Sequence, residues 1–411
     1  MEGLTVLNQC RVCKNKDLNK FLSLGSMPLA NSFIKKEELA SSEPYFPLDV
    51  CFCGVCGMVQ LAQVVDPQIM YKDYNYTTGT SEPMKAHFKG LANQIIKKFN
   101  LPKDSLVADI GSNDGTLLQQ FKEMNCRVLG IEPASNVAPL ARAKGIETVE
   151  EFFGEESAGK IRSGWGQPIV ITATNVFAHV NNLDDFIKGI FNLLDDRGVF
   201  VVEVPYLIEM LKKVEFDTIY HEHLSYFSLR PLVTLFKRFR MQIVDVERLE
   251  VHGGSIRIYV SKREKETTAA VDSLIRSESQ SGLDRIDMYG EFAQRVNRIR
   301  DDLVTLLKSL KSQGKNIVGY GAPAKGNTLM NYCKIGTETL DYIADTTDFK
   351  QGCYSPGTHI PVVSFDGFYA HPPDYALLLA WNYAETILKK EASYRHSGGK
   401  FILPIPQPVI I

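Results

Sequence analysis

At 411 residues the chain exceeds what one ordinary core organises, so two or three domains are expected. A composition of 44% hydrophobic, 10% aromatic and 23% charged residues is that of a folded soluble protein. The formal net charge of -2 removes any electrostatic case for a nucleic-acid or anionic-membrane partner.

No apolar run approaches the ~18–20 residues that span a bilayer, and MEGLTVLNQCRVCKNKD carries neither a basic leader nor a hydrophobic signal core. A cytoplasmic location is expected, where the eight cysteines serve as thiols or metal ligands, not disulfides. Cys10 and Cys13 form one C-x2-C knuckle, and Cys53 and Cys56 form a second. Four thiolates suit tetrahedral zinc, and a closed four-sulfur site is structural, not catalytic. Cys51 competes as a ligand, but the glycines around Cys56 favour the Cys53–Cys56 knuckle, where the backbone turns tightly. Metal loss is expected to unfold residues 1 to about 70.

Residues 71–83 are aromatic and hydroxyl-rich, and Ser81 and Pro83 announce a helix with Phe88, Leu91, Ile95 and Phe99 on one face. The runs LVADI, RVLGI, PIVITATNVF and GVFVVEVP alternate with helical stretches such as TLLQQFKEM and LDDFIKGIFNLL. That alternation predicts a parallel sheet wrapped by helices, completed by MQIVDVERL and SIRIYVSK near residue 262. SLVADIGSNDG reads as a strand breaking into a glycine turn and then a helix, and Glu132 ends the next strand. An acidic residue at that distance catches ribose hydroxyls, so the turn predicts an adenosine-bearing cofactor.

A polar stretch over 265–290 leads to a long amphipathic helix carrying Phe292, Val296, Ile299, Leu303, Leu306 and Leu310, a packing helix joining two domains. The final segment, with NIVGYGAPAKGNTLMNY, DYIAD, DYALLLAW and KFILPIP, predicts a second small α/β domain. Its Gly319, Gly321, Gly326 and Asp345 loosely suggest a nicotinamide turn, but the spacing is off and Pro323 and Lys325 crowd it. Lys325 suits a cation facing phosphate, or a solvated turn lysine.

Proton-transfer residues concentrate at Tyr220-His221-Glu222-His223, where the glutamate is placed to hold one imidazole in a chosen tautomer. His179 and Asn175 follow the fourth core strand, and carboxyl ends of strands face the ligand crevice of such sheets. His252 precedes Gly253 and Gly254 at a turn where backbone approaches a ligand closely.

Together these stretches resemble the S-adenosylmethionine-dependent sugar C-methyltransferases of deoxysugar biosynthesis. The motifs that carry the resemblance are CRVC, CGVC, ADIGSNDG, GIEPASNVA, NVFAHV, EVPYL, FDTIYHEHLSYFS, VHGGSIRIYV, VGYGAPAKGNTLMNYC and GTHIPV, covering nearly the whole chain. The resemblance implies an α/β protein of three parts: a zinc module at 1–70, a class I (Rossmann-like) methyltransferase core at 71–264, and a helical linker with a second Rossmann-like domain at 265–411. The last is not expected to hold a methyl donor of its own.

The resemblance also implies a nucleotide-linked 4-keto-6-deoxysugar as substrate, most commonly on thymidine diphosphate, methylated at C3 or C5. His223 is implied as the base, with Tyr220 and Glu222 orienting it or the sugar, and His179, facing the cofactor from the end of its strand, is a further catalytic candidate. For the donor, Asp109, Gly111, Asn113, Gly115, Glu132 and Asn175 are implied, with Phe152 and Phe153 flanking the adenine or buried in the core. For the sugar nucleotide, Tyr74, Tyr76, His252, Lys325, Asn327, Lys350 and Tyr354 are implied contacts, and the chain is compatible with a working monomer. Rival readings are methylation of oxygen or nitrogen, a nicotinamide-dependent sugar oxidoreductase, and a non-catalytic zinc scaffold.

Overall fold

The computed structural model describes residues 3–70, 78–80 and 82–411. Its central sheet has seven strands: β1 (Leu106–Ile110), β2 (Arg127–Ile131), β3 (Thr148–Val149), β4 (Val170–Thr174), β5 (Val199–Pro205), β6 (Gln242–Leu249) and β7 (Ser255–Ser261). They lie in the order β6-β7-β5-β4-β1-β2-β3. β1 to β5 are parallel, and β1 is buried along its whole length, as expected of a strand covered on both faces. The expectation of a wholly parallel sheet fails at β7, which runs antiparallel to both β5 and β6. A tight Gly253–Gly254 turn returns the chain beside β6 too soon for a crossover helix, so the last strand must reverse.

The strand order reverses between β1 and β4, which places a ligand crevice beyond their carboxyl ends. Helix α1 (Glu82–Phe99) covers one face with Phe88, Leu91 and Ile95, whose 3.6-residue spacing puts all three against Val107, Val201 and Tyr259. Beneath it lies a buried charge network. Glu203 of β5 meets His87 of α1 at 2.7 Å and Arg257 of β7 at 2.5 Å. A lone acid in so apolar a strand is tolerable only with such partners.

The amino-terminal residues form an antiparallel sheet from Leu18–Met27, Phe46–Cys53 and Val59–Leu61, and its fourth strand is Ser225–Tyr226 from the core. The module is therefore stitched into the chain just after the Tyr220–His223 cluster. The polar 265–290 stretch contains helix Ala269–Gln280, and the long helix spans Ile286–Ser312. Its apolar stripe buries Leu307 where the sequence pattern pointed to Leu306, which is only partly covered. Tyr289 seats it on the amino-terminal sheet, with ring centroids 5.0 Å from Phe21 and 4.6 Å from Phe52. Buried Glu278 accepts the amides of Leu229 and Arg230 at 2.6 and 3.1 Å, capping helix Leu229–Arg238 from a distant segment.

The carboxy-terminal domain has a second sheet: β8 (Ile317–Tyr320), β9 (Ile343–Ala344), β10 (Val362–Val363), β11 (Tyr375–Leu378), β12 (Lys400–Leu403) and β13 (Val409–Ile410). The order β10-β9-β8-β11-β12-β13 is parallel up to β12 and reverses between β8 and β11. A second crevice position is thus present. Among the described residues no helix is long and apolar enough to cross a membrane.

Candidate functional site

The four knuckle sulfurs of Cys10, Cys13, Cys53 and Cys56 lie within 4.8 Å of one another, with Cys10–Cys56 at 3.5 Å and Cys13–Cys53 at 3.6 Å. A tetrahedral zinc with ~2.3 Å bonds needs sulfurs about 3.8 Å apart, so the four thiolates fit that ion. Cys51 is buried apart from them, its thiol pushed up to about 11 mainly by burial. The knuckle is tied to the core by Arg11, whose guanidinium donates to the carbonyl of Asn181 at 2.8 Å. Burial holds that guanidinium down to about 10.

The glycine turn sits at the β1–β4 reversal. Gly111 has φ +66°, and a Cβ there would overlap Val176 Cγ2. Gly115 has φ +75° and opens helix Thr116–Glu123, with Ala141 and Ile146 closing the space a side chain would need. Both positions demand glycine. Glu132 accepts the amide of Asn113 at 2.9 Å and that of Ala134 at 2.9 Å, which fixes its carboxylate beside the turn. Each of those oxygens keeps a second lone pair for a ribose hydroxyl. Desolvation raises its pKa.

Asp109, at the end of β1, is buried and takes a 2.6 Å hydrogen bond from Thr172. Burial pushes it up to about 7, helped by the nearby charges of Glu132 and Glu203. Asn113 and Asp114 turn outward to accept the amides of Thr78 at 2.8 Å and Gly79 at 3.0 Å, so segment 78–80 closes over the turn. Tyr74 and Tyr76 lie outside the described residues. Phe152 is exposed, whereas Phe153 packs edge-on against Phe186 and belongs to the core.

Beyond β4, Asn175 adopts φ +58° and the chain makes a short 3-10 turn, Phe177–His179. His179 is held down to about 4 by desolvation, so it is neutral at physiological pH. Its ring meets His223 edge-on with centroids 4.9 Å apart, and Tyr220 lies over His223 at 4.0 Å. His223 Nδ1 is 2.7 Å from the carbonyl oxygen of Thr218, an acceptor only. That bond puts the proton on Nδ1 and the lone pair of the neutral ring on Nε2.

The expected pairing of Glu222 with an imidazole is not what forms. Successive residues of the loop point to different sides, and Glu222 instead accepts 2.6 Å from Asn31 of the amino-terminal module. Burial pushes Glu222 up to about 7, with Asn31 opposing the rise. His221 is a structural histidine: it is 2% exposed, lies 3.2 Å from the Phe46 carbonyl, and is depressed to about 4 by burial.

The loop that carries this cluster also touches the carboxy-terminal domain. Fully buried Asp217 accepts from Trp381 Nε1 at 2.6 Å, and Glu215 meets Lys325 at 3.5 Å. Burial raises Asp217 to about 6, with Lys325 opposing. Asn327 donates to the Ala30 carbonyl at 2.7 Å, and Lys350 to that of Ala322 at 2.9 Å. Tyr354 forms a bridge with Ile34 through its backbone. Asn327 and the Tyr354 backbone thus tie the carboxy-terminal domain to residues 30–34, Lys350 braces a turn of its own domain, and Lys325 has the Glu215 carboxylate for partner. The side chain of His252 lies outside the described residues. Sequence reasoning missed Asn31 and the His87–Glu203–Arg257 network. A lone acid inside GVFVVEVP was the available signal for the latter.

Comparison with known proteins gives three family matches: a zinc binding domain at residues 10–71, a methyltransferase domain at 84–246, and a C-methyltransferase C-terminal domain at 250–406. The chain is 38% identical over 407 residues to the C-methyltransferase NovU of Streptomyces niveus, covering 98% of this chain and 97% of that one. Among solved structures it is similar to the PH0226 protein of Pyrococcus horikoshii OT3, at 12% identity with a TM-score of 0.36, covering 46% of this chain and 95% of that one. It is also similar to magnesium protoporphyrin IX methyltransferase of Synechocystis PCC 6803 with bound SAH, at 11% identity with a TM-score of 0.35, covering 47% of this chain and 90% of that one.

Proposed function

Because the chain belongs to the C-methyltransferase family that joins a zinc-binding module, a methyltransferase domain and a dedicated C-terminal domain, we propose that it methylates carbon beside the ketone of a nucleotide-linked 4-keto-6-deoxysugar. S-adenosylmethionine is the donor, and its sulfonium supplies a methyl group already activated toward a carbon nucleophile. The residues fit it: glycines at 111 and 115 let the turn take the left-handed conformation that brings its backbone to the donor, Asp109 lies two residues before that turn with a carboxyl that suits a cationic amino-acid end, and Glu132 suits the ribose hydroxyls.

The sugar ketone acidifies the neighbouring carbon–hydrogen bond. His223 Nε2 takes that proton, the bond's electron pair moves toward the ketone oxygen, and the enolate carbon then accepts the methyl group. The carbonyl of Thr218 steadies the resulting imidazolium through Nδ1–H, and the face of Tyr220 lies against it. His179, neutral beside it, adds no repelling charge. In this reading Lys325 takes the diphosphate, exchanging Glu215 for phosphate oxygens.

One observation carries this reading. Val176 fills the space over Gly111, and three residues later His179 touches His223, so the base and the donor turn are joined by a short run of contacts. The test pairs labelled donor with a set of nucleotide-4-ketosugars and locates the added carbon by NMR. A carbon-linked methyl beside the ketone is expected. A methyl on oxygen or nitrogen would overturn the reading. His223→Ala should cut turnover by roughly 10²–10⁴-fold, with donor affinity changed little.

A further inference from the structure

One loop of the zinc module, residues 28–34, reaches both other parts of the molecule. On one side the Ala30 carbonyl accepts from buried Asn327, Ile34 forms an antiparallel bridge with Tyr354, and Phe33 lies 5.2 Å from the Lys350 ammonium. Leu29, Ala30 and Ile34 are buried. Between these anchors Asn31 is exposed, yet its Nδ2 donates 2.6 Å to the buried carboxyl of Glu222. A backbone clamped on both flanks with an exposed amide aimed at the base-bearing loop is not needed for zinc. It is what a rigidly presented active-site group requires.

We propose that Asn31 is a positioning residue of the active site, by which the zinc module holds the Glu222 carboxyl in its working orientation in the loop that carries His223. The inference rests on the proposed function, together with the family resemblance that implies Glu222 as a group orienting the base or the sugar. The module's cysteines then serve a purpose beyond local folding. They fix a platform from which a neutral amide is delivered across 191 residues of sequence. An amide suits the task because its N–H satisfies a buried carboxyl without adding a charge that would compete with the substrate's own phosphates.

Turnover of the full chain with S-adenosylmethionine and a nucleotide-4-ketosugar, in a double-mutant cycle, tests this. Asn31→Ala should lower kcat roughly 10-fold or more, the scale of a lost hydrogen bond to a charged group, with KM for the donor within about 2-fold. Asn31→Asp, nearly the same shape, should be worse than alanine because it sets a second carboxyl against the first. In a Glu222→Gln background the alanine change should cost less than about 2-fold, since the group it positions is gone. Thermal melting should show both Asn31 variants folded and cooperative, with a fall no larger than the loss of one hydrogen bond to a buried carboxyl produces. Equal losses in both backgrounds, or an alanine variant at parental rate, would overturn the inference alone. If Glu222→Gln by itself leaves turnover unchanged, the place of Glu222 in the reaction fails too, and this inference falls with it.

Discussion

Gly111 donates its amide to the last carbonyl of β2, Ile131, at 2.8 Å, and Gly321 donates to Ala344, the last residue of β9, at 2.7 Å. In each sheet the next residue is an acid that binds back to the turn: Glu132 to the amide of Asn113, Asp345 to that of Ala322 at 2.6 Å. Each acid also accepts an amide two residues on, from Ala134 and from Thr347. The same wiring thus appears twice, but the surroundings differ. Above the first turn stand backbone amides of segment 78–80, and the strand leading into it carries the buried carboxyl of Asp109. In the second, Gly319 stands where Asp109 does, Lys350 occupies the Ala322 carbonyl, and Pro323 begins the helix. Acid-to-amide wiring shapes a turn, and what fills the space over it decides whether a cofactor enters.

The strongest way to break that contrast is to fill both turns. Gly111→Val should weaken S-adenosylmethionine binding by about 10²-fold or more in calorimetry, since the side chain overlaps Val176 and the positive φ adds ~1–2 kcal/mol of strain. Gly321→Val, with φ +81° and Ala380 at 3.0 Å, should lower the melting temperature while leaving donor affinity intact. Equal effects on donor affinity would erase the distinction.

Next in size are the acids. Glu132→Gln should cost roughly 10-fold in donor affinity through a weakened charged hydrogen bond, whereas Asp345→Asn should cost stability only. A donor titration of each variant decides this.

How much of this was legible in the sequence depends on whether the deciding contact is local. Gly111, Gly115 and Glu132 belong to one strand-helix-strand unit, so residue type and spacing sufficed to locate them. The paired knuckles were legible for the same reason. The partner of Glu222 was not, because Asn31 comes from a loop read only for its flanking cysteines, and chain distance hides that pairing. Asn327, Lys350 and Tyr354 looked like ligand contacts because polar residues near a glycine turn usually are. In the folded chain Asn327 and the Tyr354 backbone meet residues 30–34, and Lys350 meets the Ala322 turn.

A smaller effect concerns pH, and only the first turn has the group for it. Asp109 is raised from 3.8 to about 7 in the folded protein. The folded state therefore holds a proton that the unfolded chain releases near pH 4, so this group lowers stability as pH climbs from about 4 to 7. A cationic donor end favours the charged carboxylate, so binding at pH 6 should release a proton and tighten toward pH 8. Calorimetry in buffers of different ionisation enthalpy measures the release, which Asp109→Asn should remove. The smallest effect is expected from Lys350→Met. Freeing the Ala322 carbonyl should cost about 1 kcal/mol in urea unfolding and should not create nicotinamide or S-adenosylmethionine binding, because Pro323 and the missing carboxyl remain.

The most direct test of the whole account is deuterium wash-in. The enzyme is held in deuterium oxide with nucleotide-4-ketosugar and spent donor, and the carbon beside the ketone is followed by NMR. Exchange in the parent protein, lost in His223→Ala, is the predicted result. No exchange in the parent, or exchange that survives the loss of His223, would contradict it.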